Sequence, residues 1–353
     1  MAAGRAAWVG SDDLVSEVVE FVVPIAHAPD SPGINQDLGA VLIGTGVSST
    51  GQVWFTESNS GKVGTITPDG EVTQYLIPDP PNSPHRLTAG ADGAMWFTNF
   101  QGNAVGHVTP EGVLAEYPVL SPPTHSLDEI AKAAGAPGKE WFNTANNPAP
   151  SSSPFGITHA PDGTVWFTQF KGNRVGCVRE GGQVQDWDVP TPVAGPVGVA
   201  VGADGNIWFV EHFVNKIGRM TPSGEFTEFD IPTAGQSPYH IVAGPDGACW
   251  FTISSNDSIG RITTDGKITE FSVAEGKPRR PMELTVGPDG ALWFTEFIGS
   301  AIGRLTTDGD VSHFPCATRK SAPFTLVFDH DGVLWYSSMA NDAVGRMTFT
   351  HAG

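Results

Sequence analysis

The chain is short of positive charge. Its 353 residues carry 19 Lys and Arg against 38 Asp and Glu, a formal net charge of −19. That balance argues against nucleic acid or an anionic membrane surface as partner, because both need clustered cations. Cysteine is scarce as well. Cys177, Cys249 and Cys316 lie far apart in the chain, and an odd count is no disulfide framework. They read as reduced thiols of a cytoplasmic protein. No run of 18 apolar residues occurs, so no membrane-spanning helix is expected. The opening MAAGRAAWVGSDD lacks the apolar stretch of a secretory signal.

What the chain has in abundance is repetition. One frame recurs: P-x-x-(I/L/V), an Asp-Gly pair, W-F-T, (I/V)-G-(R/K/H), a second turn, then E-(F/Y)-x-(I/V)-P. Its tryptophans are Trp54, Trp96, Trp166, Trp208, Trp250, Trp293 and Trp335, spaced 42, 70, 42, 42, 43 and 42. The spacing of 70 is one repeat plus 28 inserted residues. Four short strands at this period make a propeller blade. The fold class is therefore all-β: a seven-bladed β-propeller with four antiparallel strands, A to D, per blade, forming a single domain over residues 1–353.

Asp-Gly pairs such as Asp92-Gly93 and Asp289-Gly290 suit two-residue turns with positive φ between strands A and B. Segments such as GEFTEFDIP alternate with the period of two that marks strands. The tryptophans read as packing between blades. The recurring Arg219, Arg261, Arg304 and Arg346 read as structural. Residues 14–24, LVSEVVEFVVP, look like a strand D with no A, B or C before it, whereas the C-terminus supplies A, B and C and stops. The N-terminal strand is expected to complete blade 7 and remove the open sheet edges.

Strand A begins, and strand B ends, on the face that carries the D-to-A connections. Counting 11 back from each tryptophan gives Ile43, His85, Phe155, Val197, Tyr239, Met282 and Phe324; one further in gives Gly44, Arg86, Gly156, Gly198, His240, Glu283 and Thr325. Counting forward from the tryptophan gives, among others, Glu57, Glu211 and Glu296 at three, and Phe100, Phe170, His212, Phe297 and Met339 at four. These positions vary between copies, so the scaffold does not dictate them. An aromatic, apolar mouth with a few polar groups suits a bulky small molecule. His85, Arg86, His212 and His240 are the candidate catalytic residues: arginine keeps its charge in an apolar cavity, and histidine donates a proton near neutral pH. Phe100, Phe155, Phe170, Glu211, Tyr239, Met282, Glu283, Glu296, Phe297, Phe324 and Met339 are the candidate binding residues. The competing reading is that members of this set only pack or bond backbone.

The insert, residues 121–153, is a D-to-A connection and is expected to form a lid over the same face. Its SLDEIAKAAG suggests a short helix capped by Ser126. A second extension, residues 26–40, precedes blade 1 on that face.

The stretches GPVGVAVGADGNIWFVEHFVNKIGRM and PDGALWFTEFIGSAIGRL resemble the streptogramin B lyase (virginiamycin B lyase) family, over nearly the whole chain. The resemblance implies a propeller that opens a cyclic depsipeptide by elimination at an ester C–O bond. It also implies a histidine base, with a second histidine and glutamates holding Mg²⁺ on the last two blades. The sequence departs there. The sixth-blade histidine falls on Met282, the seventh-blade Glu-Pro-His on Ala322, Pro323 and Phe324, and the glutamate after W-F on Met339. No cofactor is expected in that register, because the family's Mg²⁺ ligands are absent. Lyase-like propellers of fungal terpenoid pathways that act as hetero-Diels–Alderases are similar in fold and site character. Three functions stay open: a tailoring cyclase or pericyclase, a C–O lyase with relocated residues, and a non-catalytic binding propeller.

Overall fold

The computed structural model describes residues 15–24, 39–79, 81–122, 129, 132, 151–235, 237–274 and 276–349. Its strands form seven four-stranded antiparallel sheets, so the protein is a seven-bladed β-propeller. Blades 1 to 6 run A-B-C-D in chain order. Blade 7 takes strands A to C from Pro323–Phe328, Leu334–Ser338 and Ala343–Phe349, and its outer strand from Val15–Val22. That N-terminal strand pairs with the C-terminal one from Val15↔Phe349 to Val22↔Ala343. The ring thus closes as expected, with the two ends of the chain joined in one sheet.

Each part of the repeat has a physical task. The tryptophan stacks on the aromatic of strand D, as Trp54 on Tyr75, Trp96 on Tyr117, Trp166 on Trp187 and Trp293 on Phe314. In blade 7 the partner is Phe21, which identifies the N-terminal strand as a D strand by side chain as well as by register. Trp208, Trp250 and Trp293 donate their indole N–H to the aspartate of the A–B turn at 3.0 Å. Arg219, Arg261 and Arg304 lie over these same rings, which accounts for their recurrence. The aromatic after each tryptophan, phenylalanine in blades 1 to 6 and Tyr336 in blade 7, crosses the strand-C glycine. A Cβ at Gly106 would overlap the Phe97 ring, and one at Gly303 the Phe294 ring.

The Asp-Gly turns differ from the two-residue hairpins expected. Ala160 donates to the carbonyl of Thr164 at 2.8 Å, and Gly163 to that of Ala160 at 3.0 Å. Three residues therefore lie in the loop, with Gly163 at φ 88°. This is a turn closed by a left-handed glycine, and only the glycine of the pair needs positive φ.

The third residue of W-F-T joins the blades. Thr98 Oγ1 accepts the N–H of Arg86 at 3.1 Å and donates to the carbonyl of Phe155 in the next blade at 2.7 Å. Thr168, Thr252 and Thr295 repeat both bonds. Blade 4 has Val210 at this place. Opposite this position, six of the A strands carry a register shift after their proline, as between Pro84 and Leu87. The bulge leaves two residues, His85 and Arg86 in blade 2, facing one on strand B. Bulges re-aim side chains in this way.

The inserted lid expected over 121–153 and the extension over 26–40 lie almost wholly outside the described residues. No described helix is long and apolar enough to cross a membrane.

Candidate functional site

The bulged positions build the centre of the ring. Phe155, Phe170, Tyr239, Met282 and Phe324 are buried in one apolar cluster at the start of the A strands and the end of strand B of blade 3. Phe100, Phe297 and Met339 pack against it, half-buried. Every aromatic and methionine expected at the mouth is therefore gathered into one layer. Phe213, in the B–C turn of blade 4, joins it too.

Beneath this layer lies one polar cavity. Arg86, Tyr239, His240 and Glu283 line it with Phe155 and Val197. Its volume is about 30 Å³, above the roughly 10–15 Å³ that one water requires. It admits a carbonyl or hydroxyl group and not a terpene, so the body of a bulky ligand belongs in the layer above. Arg86 from blade 2 forms an ion pair across the channel with Glu283 from blade 6. Both are buried, at 5% and 8% exposure. The Arg86 guanidinium also lies 5.8, 5.6 and 5.1 Å from the ring centres of Phe155, Tyr239 and Phe324. Burial works against its charge, and Glu283 together with three aromatic faces offsets that cost. Arg86 Nη2 is buried without a hydrogen-bond partner.

The histidines separate. His240 lines the cavity. Its ring bonds the backbone of Leu284, while Nδ1 is buried without a partner. His85 stands in the aromatic layer instead, stacked on Phe100 at 4.6 Å and edge-on to Phe155 at 5.2 Å. His212 donates from Nδ1 to the Pro238 carbonyl at 2.9 Å and meets Tyr239 edge-on. Burial, with Arg86 adding to it, pushes both His85 and His240 down to about 3. They are neutral near pH 7. This corrects the expectation of imidazolium acids at these two positions: in a site this dry, the charged form loses too much hydration.

Glu211 and Glu296 depart from the mouth. The residue three after each tryptophan turns outward along its blade, toward the strand-D residue 17 positions later. Glu57 thus meets Gln74, Asn99 meets Glu116 and Gln169 meets Asp186. Glu296 pairs with His313, and with Arg279 at 2.9 Å. Glu211 faces Glu228; burial first, and then the Glu228 charge, pushes it up to about 8. These two carboxylates belong to the blades rather than to the ligand layer. Strand alternation sends position three to one side and the turn residue at position four to the other.

Sequence reasoning missed Arg279 and Arg280. Arg280 adopts φ 55° in the connection before strand A of blade 6 and lies over Phe297 at 5.8 Å. The signal was the pair of arginines directly before Pro281, in a D-to-A connection on the mouth face.

A family model, the virginiamycin B lyase family, matches residues 36–147 and 141–352. The chain belongs to this family. A streptogramin B lyase structure superposes with a TM-score of 0.78 and 29% identity, covering 95% of this chain and 98% of that one. A catalytically inactive histidine-to-alanine variant of virginiamycin B lyase from Staphylococcus aureus, with quinupristin, superposes at 0.77 and 32% identity, covering 95% and 99%. Virginiamycin B lyase of Bacillus licheniformis is 49% identical over 37 residues, 10% of this chain and 12% of that protein.

Family membership raises the question of Mg²⁺. Met282, Phe324 and Met339, the positions that the resemblance assigns to the family's base and metal-holding residues, lie in the apolar layer. Thioethers and a phenyl ring offer no hard oxygen. Among the described residues, no three His, Cys, Asp or Glu side chains gather into a metal-ligand set. The residues present do not fit Mg²⁺ at that place.

Proposed function

We propose that the protein is a natural-product tailoring enzyme. It seats a bulky, mostly apolar molecule on the axial mouth and guides dehydration and hetero-Diels–Alder ring closure without a metal. The observation that carries this reading is an aromatic layer in place of hard metal ligands, with a buried arginine beneath it that keeps one N–H group unpartnered.

The reaction balances without a cofactor. An aromatic or tropolone alcohol loses its ring O–H proton and its side-chain hydroxide, which leave together as one water. The quinone methide that remains adds across a terpene double bond, and no further proton moves. Arg86 holds the ring oxygen as negative charge builds on it. His240 stays neutral: its Nδ1 accepts a hydrogen bond from the ring O–H and orients it, while the proton passes to the departing hydroxyl. The aromatic layer holds the two reactants face to face.

Family membership favours a second reading, C–O elimination on a cyclic depsipeptide. One pair of experiments separates them. Disrupting the gene in a producing strain should abolish a cyclised metabolite and accumulate its alcohol precursor, and the purified protein should convert that precursor in the presence of EDTA. Opening of a streptogramin B ring that stops with EDTA would overturn the cyclase reading in favour of the lyase.

A further inference from the structure

The charge balance of the axial cavity restricts what enters it. Arg86 carries one positive charge and Glu283 one negative charge, so the pair sums to zero. His85 and His240 add nothing near neutral pH. The buried site is therefore already neutral, and a carboxylate or phosphate would bring a net charge into an apolar surround at a large desolvation cost. A neutral oxygen brings none.

The unpartnered atoms add direction. Arg86 Nη2 can only donate. His240 Nδ1 is buried without a partner, and a neutral imidazole that carries its proton on Nε2 accepts at Nδ1. The cavity, whose wall also carries Tyr239, thus presents a donor on Arg86 and an acceptor on His240, both buried.

Resting on the reading of the mouth as a ligand site, we propose that the cavity takes the uncharged oxygen end of its ligand: a group that accepts from Arg86 and donates to His240, such as an enol, a phenol, a hydroxyketone or an amide. It rejects carboxylates and phosphates.

Acetamide and acetate test this, being equal in size and differing in charge and in donor. Binding is followed by NMR through the ring resonances of His240. In the wild-type protein acetamide shifts these resonances, and acetate binds at least about tenfold more weakly. Glu283→Gln leaves Arg86 without a counter-charge and reverses the order. Equal or tighter binding of acetate to the wild type overturns the proposal, as does failure of acetamide to move the His240 signals. An unchanged order in Glu283→Gln overturns it too. If that variant does not fold, the wild-type comparison alone decides. The readout is independent of turnover: a preference for acetamide in a protein that forms no ring sinks the proposed reaction and leaves the ligand class standing.

Discussion

Residues that repeat and residues that vary sit within a few positions of one another in the same strands. Trp96 and Thr98 have counterparts in nearly every blade; Phe100, two residues on, does not. The repeated ones satisfy each other, with indole on aromatic and threonine on the neighbouring backbone. The varied ones are held up by those bonds and contribute little to the ring's register. A propeller can therefore vary the side chains of its mouth without losing its fold, and fold membership does not carry the chemistry with it.

The sharpest way to break this comparison is to remove a repeated element whole. Deleting residues 1–24 strips strand D from blade 7 and exposes the edge of Ala343–Phe349. Insoluble protein, or a loss of melting temperature larger than for any point change, is expected. Soluble protein with unchanged melting would show that closure by this strand is dispensable.

Arg86 sits on the varied side yet is buried in an ion pair, so its loss acts on both fold and function. Arg86→Met strands the Glu283 carboxylate and is expected to cost about 3–5 kcal/mol. The double change Arg86→Met with Glu283→Met should regain most of that stability, while turnover stays roughly a hundredfold down, the scale of one oxyanion contact. Denaturant unfolding and turnover on the two variants separate the effects. Recovery of both in the double variant would mean that shape alone does the work.

Blade 4 and the histidines set opposite pH slopes. Glu211 is raised to about 8 from an ordinary 4.5, so the folded state holds a proton that the unfolded state has lost. Between these values stability falls as pH rises, by at most about 1.4 kcal/mol per unit. His85 and His240 are lowered to about 3 from 6.5; their contribution is whole above 6.5 and is lost as pH falls toward 3. From pH 6.5 to 8 Glu211 acts without them. Melting temperature should decline across that window in the wild type and stay level in Glu211→Gln. A wild-type curve without the decline would remove the Glu211–Glu228 pair from consideration.

The fold was legible because one period governs Trp54 to Trp335 and because the strand at 15–22 has no partner nearby in sequence. The mouth was legible in part. Counting from the tryptophan finds the aromatic layer, but it assumes regular strands, and the bulge after Pro84 is what aims His85 and Arg86 inward. The count also sent Glu211 and Glu296 to the wrong side. Their 17-residue partners, as Glu296 and His313, stand in the sequence as polar pairs. Only the register shows that they meet, and only burial shows that His240 is neutral.

The smallest effect sharpens the comparison most, because it adds a repeated bond where one is missing. Val210 fills the place of the inter-blade threonine in blade 4, buried among Val197, Tyr239 and Ile241. By the pattern of the other blades, a hydroxyl there accepts the N–H of Gly198 and donates to the carbonyl of Tyr239. Threonine has the shape of valine, so Val210→Thr requires no new space. Two bonds are worth roughly 0.5–1.5 kcal/mol each, already net of taking the groups from water, less about 0.8 kcal/mol for the buried methyl that the hydroxyl replaces. A net gain of about 1 kcal/mol is expected, read as a rise in the denaturation midpoint at unchanged slope. The reverse change, Thr98→Val, should cost at least as much, since it strips partners from the Arg86 N–H and the Phe155 carbonyl. A Val210→Thr protein less stable than the wild type would mean that blade 4 does not present these two groups as its neighbours do. Its strand A would then be spaced differently from the rest, on the wall that carries Tyr239 and His212.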